Sequence, residues 1–129
     1  MLDPRIHELA HEGKNFATLT TLSKDGTPHS TIVWIDSDGE NLTYNTEIHR
    51  AQFKNISADP RVSIVIWDSG NPYRYAEVNG NIKETIKGDE AKNNIEELSH
   101  RYTGGPYQMP IQSERVKILV EPVKQRMQG

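Results

Sequence analysis

The sequence predicts one mainly β domain: a closed or split antiparallel barrel of about six strands, with three short helices. Three observations carry this. Apolar and β-branched runs are joined by tight turns, two of them built on Asp25-Gly26 and Asp38-Gly39, and such connections make neighbouring strands antiparallel. Val62, Ile64 and Ile66 alternate with Ser63, Val65 and Trp67, which is the period of two of a strand. The order is helix, three strands, helix, two strands, helix, strand, which is not the strand–helix alternation of a doubly wound sheet. Closing the sheet removes the exposed edges that about six strands would otherwise present. The 129 residues fit a single domain, 1–129.

The elements follow in order. Asp3-Pro4 opens the first helix, because Asp accepts from free N–H groups and Pro suits the first turn. Ile6, Leu9 and Ala10 give it one apolar stripe, and Gly13 ends it. Strands are expected over 16–22, 29–36 and 42–45, joined by the two Asp-Gly hairpins. Ala51, Phe53 and Ile56 mark a short helix that cannot pass Pro60. Residues 62–67, apolar on both faces, read as a central strand. A long strand follows over 75–86, with Ala76, Val78 and Ile82 on one face; Gly80 inside it signals a bulge or a close backbone approach. Asp89 is expected to cap the third helix, whose buried face is Ala91, Ile95, Leu98 and Tyr102. Residues 116–120 form the last strand.

Composition narrows the function. Only 34% of residues are hydrophobic and the mean hydropathy is -0.73. That is little for a self-sufficient barrel, so an oligomer interface or a bound cofactor is expected to complete the core. A pI near 5.9 argues against a nucleic-acid partner, whose footprint is a basic excess. The absence of cysteine rules out disulfides, thiolate metal sites and a cysteine nucleophile. No apolar run is long enough to span a bilayer and no secretory signal is recognisable, so no membrane partner is expected and the expected location is cytoplasmic.

Three constellations could carry chemistry. His7-Glu8-Leu9-Ala10-His11 fits H-E-x-x-H, which on a helix puts two imidazoles on one face. A zinc hydrolase also needs a third ligand and a cleft, and no spacing favours His29, His49 or His100 as that ligand, so no metal is expected. Arg50 and Lys54 lie one helical turn apart near a helix start, where free N–H groups and the dipole favour an anion, with Thr46 as a cap or hydroxyl donor. Spacing alone equally allows a solvated basic face. Tyr73, Arg74 and Tyr75 offer a stacking surface for a flat ring or a protein contact, or simply a turn feeding a strand. No dinucleotide or phosphate-binding glycine loop, nucleophile elbow or paired carboxylates stand out.

The segments FATLTTLSKDGTPHSTIVW, with Gly26, Pro28, Val33 and Trp34, then YNTEIHRAQFKNISADPRVSI, NPYRYAEVNG, RYTGG and the closing strand before Glu121-Pro122 together resemble the flavin/deazaflavin oxidoreductase superfamily. These are the pyridoxamine 5'-phosphate oxidase-like split β-barrels, and the chain is most similar to the small coenzyme F420-dependent members. The resemblance implies a six-stranded split barrel, homodimeric, with two cofactor sites at the subunit interface. It implies that Thr46, Arg50, Lys54 and Asn55 hold the cofactor's phosphate end. The strand with His29, Thr31, Ile32, Val33 and Trp34 would lie against the ring, and Tyr75, Glu77 and Asn79 would approach from the other subunit. Gln52 stands where many members carry a basic residue, which leaves FMN open beside coenzyme F420. The segment that ends true pyridoxamine phosphate oxidases is missing, which argues against vitamin B6 chemistry.

The function expected from this resemblance is hydride transfer from a reduced deazaflavin to a small unsaturated or heteroaromatic substrate. The alternatives are an FMN-dependent oxidoreductase and a carrier that binds the cofactor without turnover. No catalytic side chain stands out; His29 is a candidate proton source because an imidazole titrates near neutrality.

Overall fold

The computed structural model describes residues 1–129. In chain order it contains α1 (Pro4–His11), β1 (Phe16–Leu22), β2 (Pro28–Trp34), β3 (Asp36–Ser37), β4 (Leu42–Glu47), α2 (Ala51–Ala58), β5 (Arg61–Asp68), β6 (Asn71–Ile86), α3 (Asp89–Thr103) and β7 (Arg115–Gln128). The seven strands form one curled antiparallel sheet in the order β2-β1-β5-β6-β7-β4-β3. No helix is long and apolar enough to cross a membrane.

The strand count is seven rather than six, and the extra strand explains how the sheet curls. The run expected as one strand over 29–36 breaks at Ile35. Its two parts, β2 and β3, occupy the two ends of the sheet, so the chain itself bridges the gap between the edges. Ile35 is fully buried there and its peptide groups need partners outside a ladder. The Tyr102 hydroxyl accepts from Ile35 N–H at 3.1 Å, and Arg101 Nη2 donates to Ile35 C=O. Helix α3 thereby pins the crossing point. No glycine or proline marks this break, so the sequence reads through it.

Local signals are otherwise met at most elements. Asp3 accepts from Arg5 N–H at 2.8 Å and Pro4 opens α1, which buries Ile6, Leu9 and Ala10. Gly26 and Gly39 take φ of 86° and 93° in the two hairpins, where only glycine is at ease. Strand β5 is central, between β1 and β6. Helix α3 buries Ala91, Ile95, Leu98 and Tyr102, and also Asn94 and Ser99.

Two expected caps are absent. Asp89 is the first residue of α3, after Gly88 at the cap position, and Thr46 lies in β4 while Arg50 occupies the cap of α2 with no side-chain cap bond. Helix α2 buries Gln52 and Ile56, not Ala51. Strand β7 runs past residue 120 to Gln128, through Pro122. That is possible because the β6–β7 register shifts between Asn79 and Gly80, where Gly80 faces Pro122. The bulge spares the ladder a bond that proline cannot donate.

Buried side chains form one core of 19 residues on the inner side of the sheet, with Tyr44, Leu19, Ile64, Ile66 and Ile118 at its centre and α1 over one end. The first helix is firmly held rather than frayed, since Arg101 donates to the carbonyls of His11 and Ala10 at 2.6 and 3.0 Å. His7 and His11 do share a face, with ring centres 5.1 Å apart. Their Nδ1 atoms are engaged with Ser37 Oγ at 2.8 Å and Asp36 Oδ1 at 2.7 Å. No group of three His, Cys, Asp or Glu side chains is placed to hold a metal ion.

Candidate functional site

One cavity of about 270 Å³ gathers residues from seven parts of the chain. Ile32, Val33 and Trp34 of β2 and Phe16 of β1 form one wall. Ile95 and Leu98 of α3 form another, and Tyr107 and Met109 come from the loop after α3. The polar end holds Asn45 of β4, Arg50 at the start of α2 and Arg115 of β7. Trp34 stacks on Tyr102 at 5.3 Å and meets the edge of Tyr107 at 6.3 Å, so the aromatic wall is fixed by its neighbours.

The polar end follows from strand alternation. In β4, Asn45 and Glu47 point to the side opposite Tyr44 and Thr46, and Glu47 pairs across the ladder with Arg115. Glu47 Oε2 accepts from Arg115 Nη1 at 3.2 Å, with both side chains only 2% exposed. The same oxygen accepts from Arg50 Nη2 at 3.4 Å. Glu47 Oε1 accepts from the backbone N–H groups of Gln112 and Ser113 at 2.7 and 2.8 Å. Arg115 Nε donates to Asn45 Oδ1 at 2.8 Å, and Asn45 in turn donates to Ala91 C=O and Asn94 Oδ1.

The electrostatics follow from this packing. Burial pushes the Glu47 carboxyl up, but the two N–H donors and the two guanidinium groups outweigh it, and its pKa falls below the usual glutamate value. Burial presses the Arg115 guanidinium below the ordinary arginine value; nearby Arg50 adds to that, while Tyr107 and Glu47 oppose it.

The structure therefore brings Ile32, Val33, Trp34 and Arg50 together and separates them from the other residues expected at a site. Thr46 and Gln52 lie in the interior, where Thr46 Oγ1 and Gln52 Oε1 are buried without partners. Lys54 is exposed on α2. Asn55 donates to Thr21 Oγ1 at 3.0 Å. His29 is exposed and Thr31 half-buried on β2, opposite Thr21 and Leu19; neither lines the cavity. Tyr75, Glu77 and Asn79 lie on the outward face of β6. Tyr75 and Glu77 meet Arg126, and Asn79 lines a second hollow of about 400 Å³ with Thr20 and Ser63.

Sequence reasoning missed Asn45, Glu47, Tyr107 and Arg115. The one signal available was a lone charge at the end of each of two strands, Glu47 closing β4 and Arg115 opening β7. Their pairing is invisible because 68 residues separate them.

This arrangement can bind and orient. It presents aromatic and apolar walls to a planar ring and two guanidinium groups to an anion, and it fits a flat redox ring with an anionic arm by the chemistry of its donors. It places no nucleophile and no acid–base pair against the cavity.

Comparison with known proteins places the chain in a family. A family model described as pyridoxamine 5'-phosphate oxidase matches residues 2–129. An F420 reductase of known structure is 33% identical, with a TM-score of 0.81 over 93% of this chain and 95% of that one. A conserved hypothetical protein from Mycobacterium tuberculosis is 25% identical, with a TM-score of 0.77 over 99% of this chain and 84% of that one. General Stress Protein 26 from Bacillus anthracis shares the fold at 18% identity, with a TM-score of 0.73 over 96% of this chain and 92% of that one. No curated protein matches the sequence. A family match running from residue 2 to residue 129, on a curled antiparallel sheet of this kind, means that the chain belongs to the pyridoxamine 5'-phosphate oxidase family, with its flavin/deazaflavin oxidoreductase fold.

Proposed function

We propose that the protein is a coenzyme F420-dependent reductase of small unsaturated or heteroaromatic molecules. The observation that carries this is the cavity itself, in which the aromatic end of β2 meets Arg50 at the start of α2. The likeness to an F420 reductase at 33% identity supports the deazaflavin over FMN.

A reduced deazaflavin held between the aromatic wall and Arg50 would supply hydride chemistry toward an electron-poor double bond, with the ring oxidised in balance and the product's proton coming from solvent. The protein's part is positioning. Trp34, Phe16 and Tyr107 exclude water and present flat apolar surface to the ring. Arg50 anchors the anionic arm, with Lys54 and Asn55 further along the same helix. Holding donor and acceptor at reacting distance accounts for several kcal/mol of barrier lowering, on the order of 7–11 at best.

We further read the site as completed by a second copy of the chain. The cavity is smaller than the roughly 300–1,000 Å³ of most small-molecule sites, and Ile32 and Met109 at its rim are 58% and 66% exposed. A partner would cover these and would bring up Tyr75, Glu77 and Asn79, which one chain holds away from its own cavity.

Titration with coenzyme F420 and with FMN tests the reading. Tighter binding of coenzyme F420, with reduction of an activated enone, supports it. Preference for FMN moves the assignment to a flavoprotein, and tight binding without turnover of any acceptor leaves a carrier. Arg50→Ala should weaken coenzyme F420 binding by about 1.5–3 kcal/mol, the worth of a charge-assisted contact, and Lys54→Ala, exposed outside the cavity, by less. Unchanged dissociation constants in both would remove the anchor. His7→Ala should leave reductase activity intact, since His7 contacts Ser37 and not the cavity; a large loss would return metal chemistry to the α1 pair.

A further inference from the structure

We propose that Arg115 binds an oxyanion: together with Arg50 it forms a two-arginine clamp, hinged on Glu47, for a phosphate or carboxylate group of the ligand that fills the cavity. That the ligand also carries a redox ring rests on the function proposed above; the clamp itself does not.

The hydrogen-bond account of Arg115 points this way. A guanidinium has five N–H donors and no acceptor. Nε is taken by Asn45, and Nη1 by Glu47 and, at 3.4 Å, by the Tyr107 hydroxyl. Nη2 donates to no protein atom, yet it is not among the sealed, unpartnered polar atoms of the interior, and Arg115 lines the cavity. A side chain only 2% exposed thus keeps one unspent pair of donors facing the one open space beside it.

Arg50 repeats the pattern more loosely. One Nη2 contact reaches Glu47, and its remaining N–H groups have no protein acceptor. Glu47 cannot neutralise both arginines. Its second oxygen is committed to the N–H groups of Gln112 and Ser113, which fixes the carboxylate in place. Two cations share one anion, so the end of the cavity keeps an excess positive charge among apolar walls, where Coulomb attraction is stronger than in water. The Arg115 guanidinium carbon lies over the Tyr107 ring, 5.1 Å from its centre, which limits where the fork can turn. Planar, pre-set donors suit a planar carboxylate or a phosphate face. Arg115 is the binding group here, and Glu47 a positioning residue that acts through it.

The oxyanion has two possible sources, the cofactor's phosphate or a carboxylate on the substrate. The experiment measures dissociation constants of the wild-type protein, Arg115→Gln and Arg115→Lys for four probes: inorganic phosphate, coenzyme F420, its phosphate-free deazaflavin core, and benzoate. Arg115→Lys keeps a cation beside Glu47 and so keeps the fold testable if Arg115→Gln unfolds, while removing the fork. The clamp predicts at least a tenfold loss of phosphate binding in every variant that folds. If the cofactor supplies the oxyanion, coenzyme F420 loses at least tenfold while its phosphate-free core is unchanged. If the substrate supplies it, benzoate loses at least tenfold and coenzyme F420 does not. Wild-type protein that binds neither phosphate nor benzoate nor coenzyme F420, or variants within twofold of wild type for all of them, would overturn the clamp. A wild-type protein that binds phosphate through Arg115 but no ring compound would overturn the proposed reductase and leave the clamp standing.

Discussion

Replacing Arg115 with leucine should lower the free energy of unfolding by about 3–5 kcal/mol, because it strands the Glu47 carboxylate in a buried site without its main counter-charge. Urea denaturation monitored by circular dichroism would measure it. The surface pairs of this protein, such as Arg5–Asp3 and Arg61–Asp59, are far more exposed, so solvent screens them and they should matter far less. Adding Glu47→Gln to Arg115→Leu should recover most of the loss, since the amide oxygen still accepts from Gln112 and Ser113 while the buried charge is gone. A double variant no more stable than Arg115→Leu would mean that packing, not charge, dominates at this site.

The pH dependence has a definite sign. In the wild-type protein the Glu47 pKa is held below its ordinary value of 4.5. Its contribution is therefore full above that value and is lost as pH falls through the lower, folded-state value. In Arg115→Leu the carboxyl loses its strongest cation while burial remains, so its pKa rises and protonation relieves the strain. The stability gap between the two proteins should narrow as pH is lowered from 7 toward 4. A gap that stays constant would show that Glu47 does not titrate with the pair.

Gly80→Ala should cost about 3 kcal/mol, the upper end of what overpacking usually takes. A Cβ at this position would lie 2.4 Å from the Glu121 carbonyl oxygen and 2.9 Å from Val120 Cγ1. The first obstacle is backbone, which cannot rotate away as a side chain could, so β6 and β7 must separate at the bulge. The longest strand pair of the sheet, β6 with β7, is built across that contact. Thermal denaturation would give the loss, and amide exchange should show faster opening around residues 118–124 than in β1 or β5. Unchanged stability would mean that the bulge can slide by one residue.

Much of the fold was determined by local chemistry and is legible in order along the chain. Asp3-Pro4 starts a helix because a carboxylate satisfies free N–H groups and a fixed φ suits the first turn. Gly26 and Gly39 place hairpins because only glycine takes their backbone angles freely. The period of two in β5 and the helical spacing in α3 each name a buried face. Gly80 announces the close approach that the structure contains. Of the site, the aromatic end of β2 and Arg50 could be named in advance, since one lies in a recognisable strand and the other at a helix start.

The tertiary structure alone decided the rest. The break at Ile35 needs Arg101 to donate to its carbonyl and the Tyr102 hydroxyl to accept from its N–H, both from α3, 66 and 67 residues away, so nothing near Ile35 marks it. Likewise Glu47 and Arg115 read as isolated charges at strand ends until β4 and β7 pair and bury them together. Sequence patterns record what a residue does to its own backbone and to neighbours within a turn or two. Partners chosen by sheet register across some seventy residues leave no such record, and the charged end of the cavity is made of those partners.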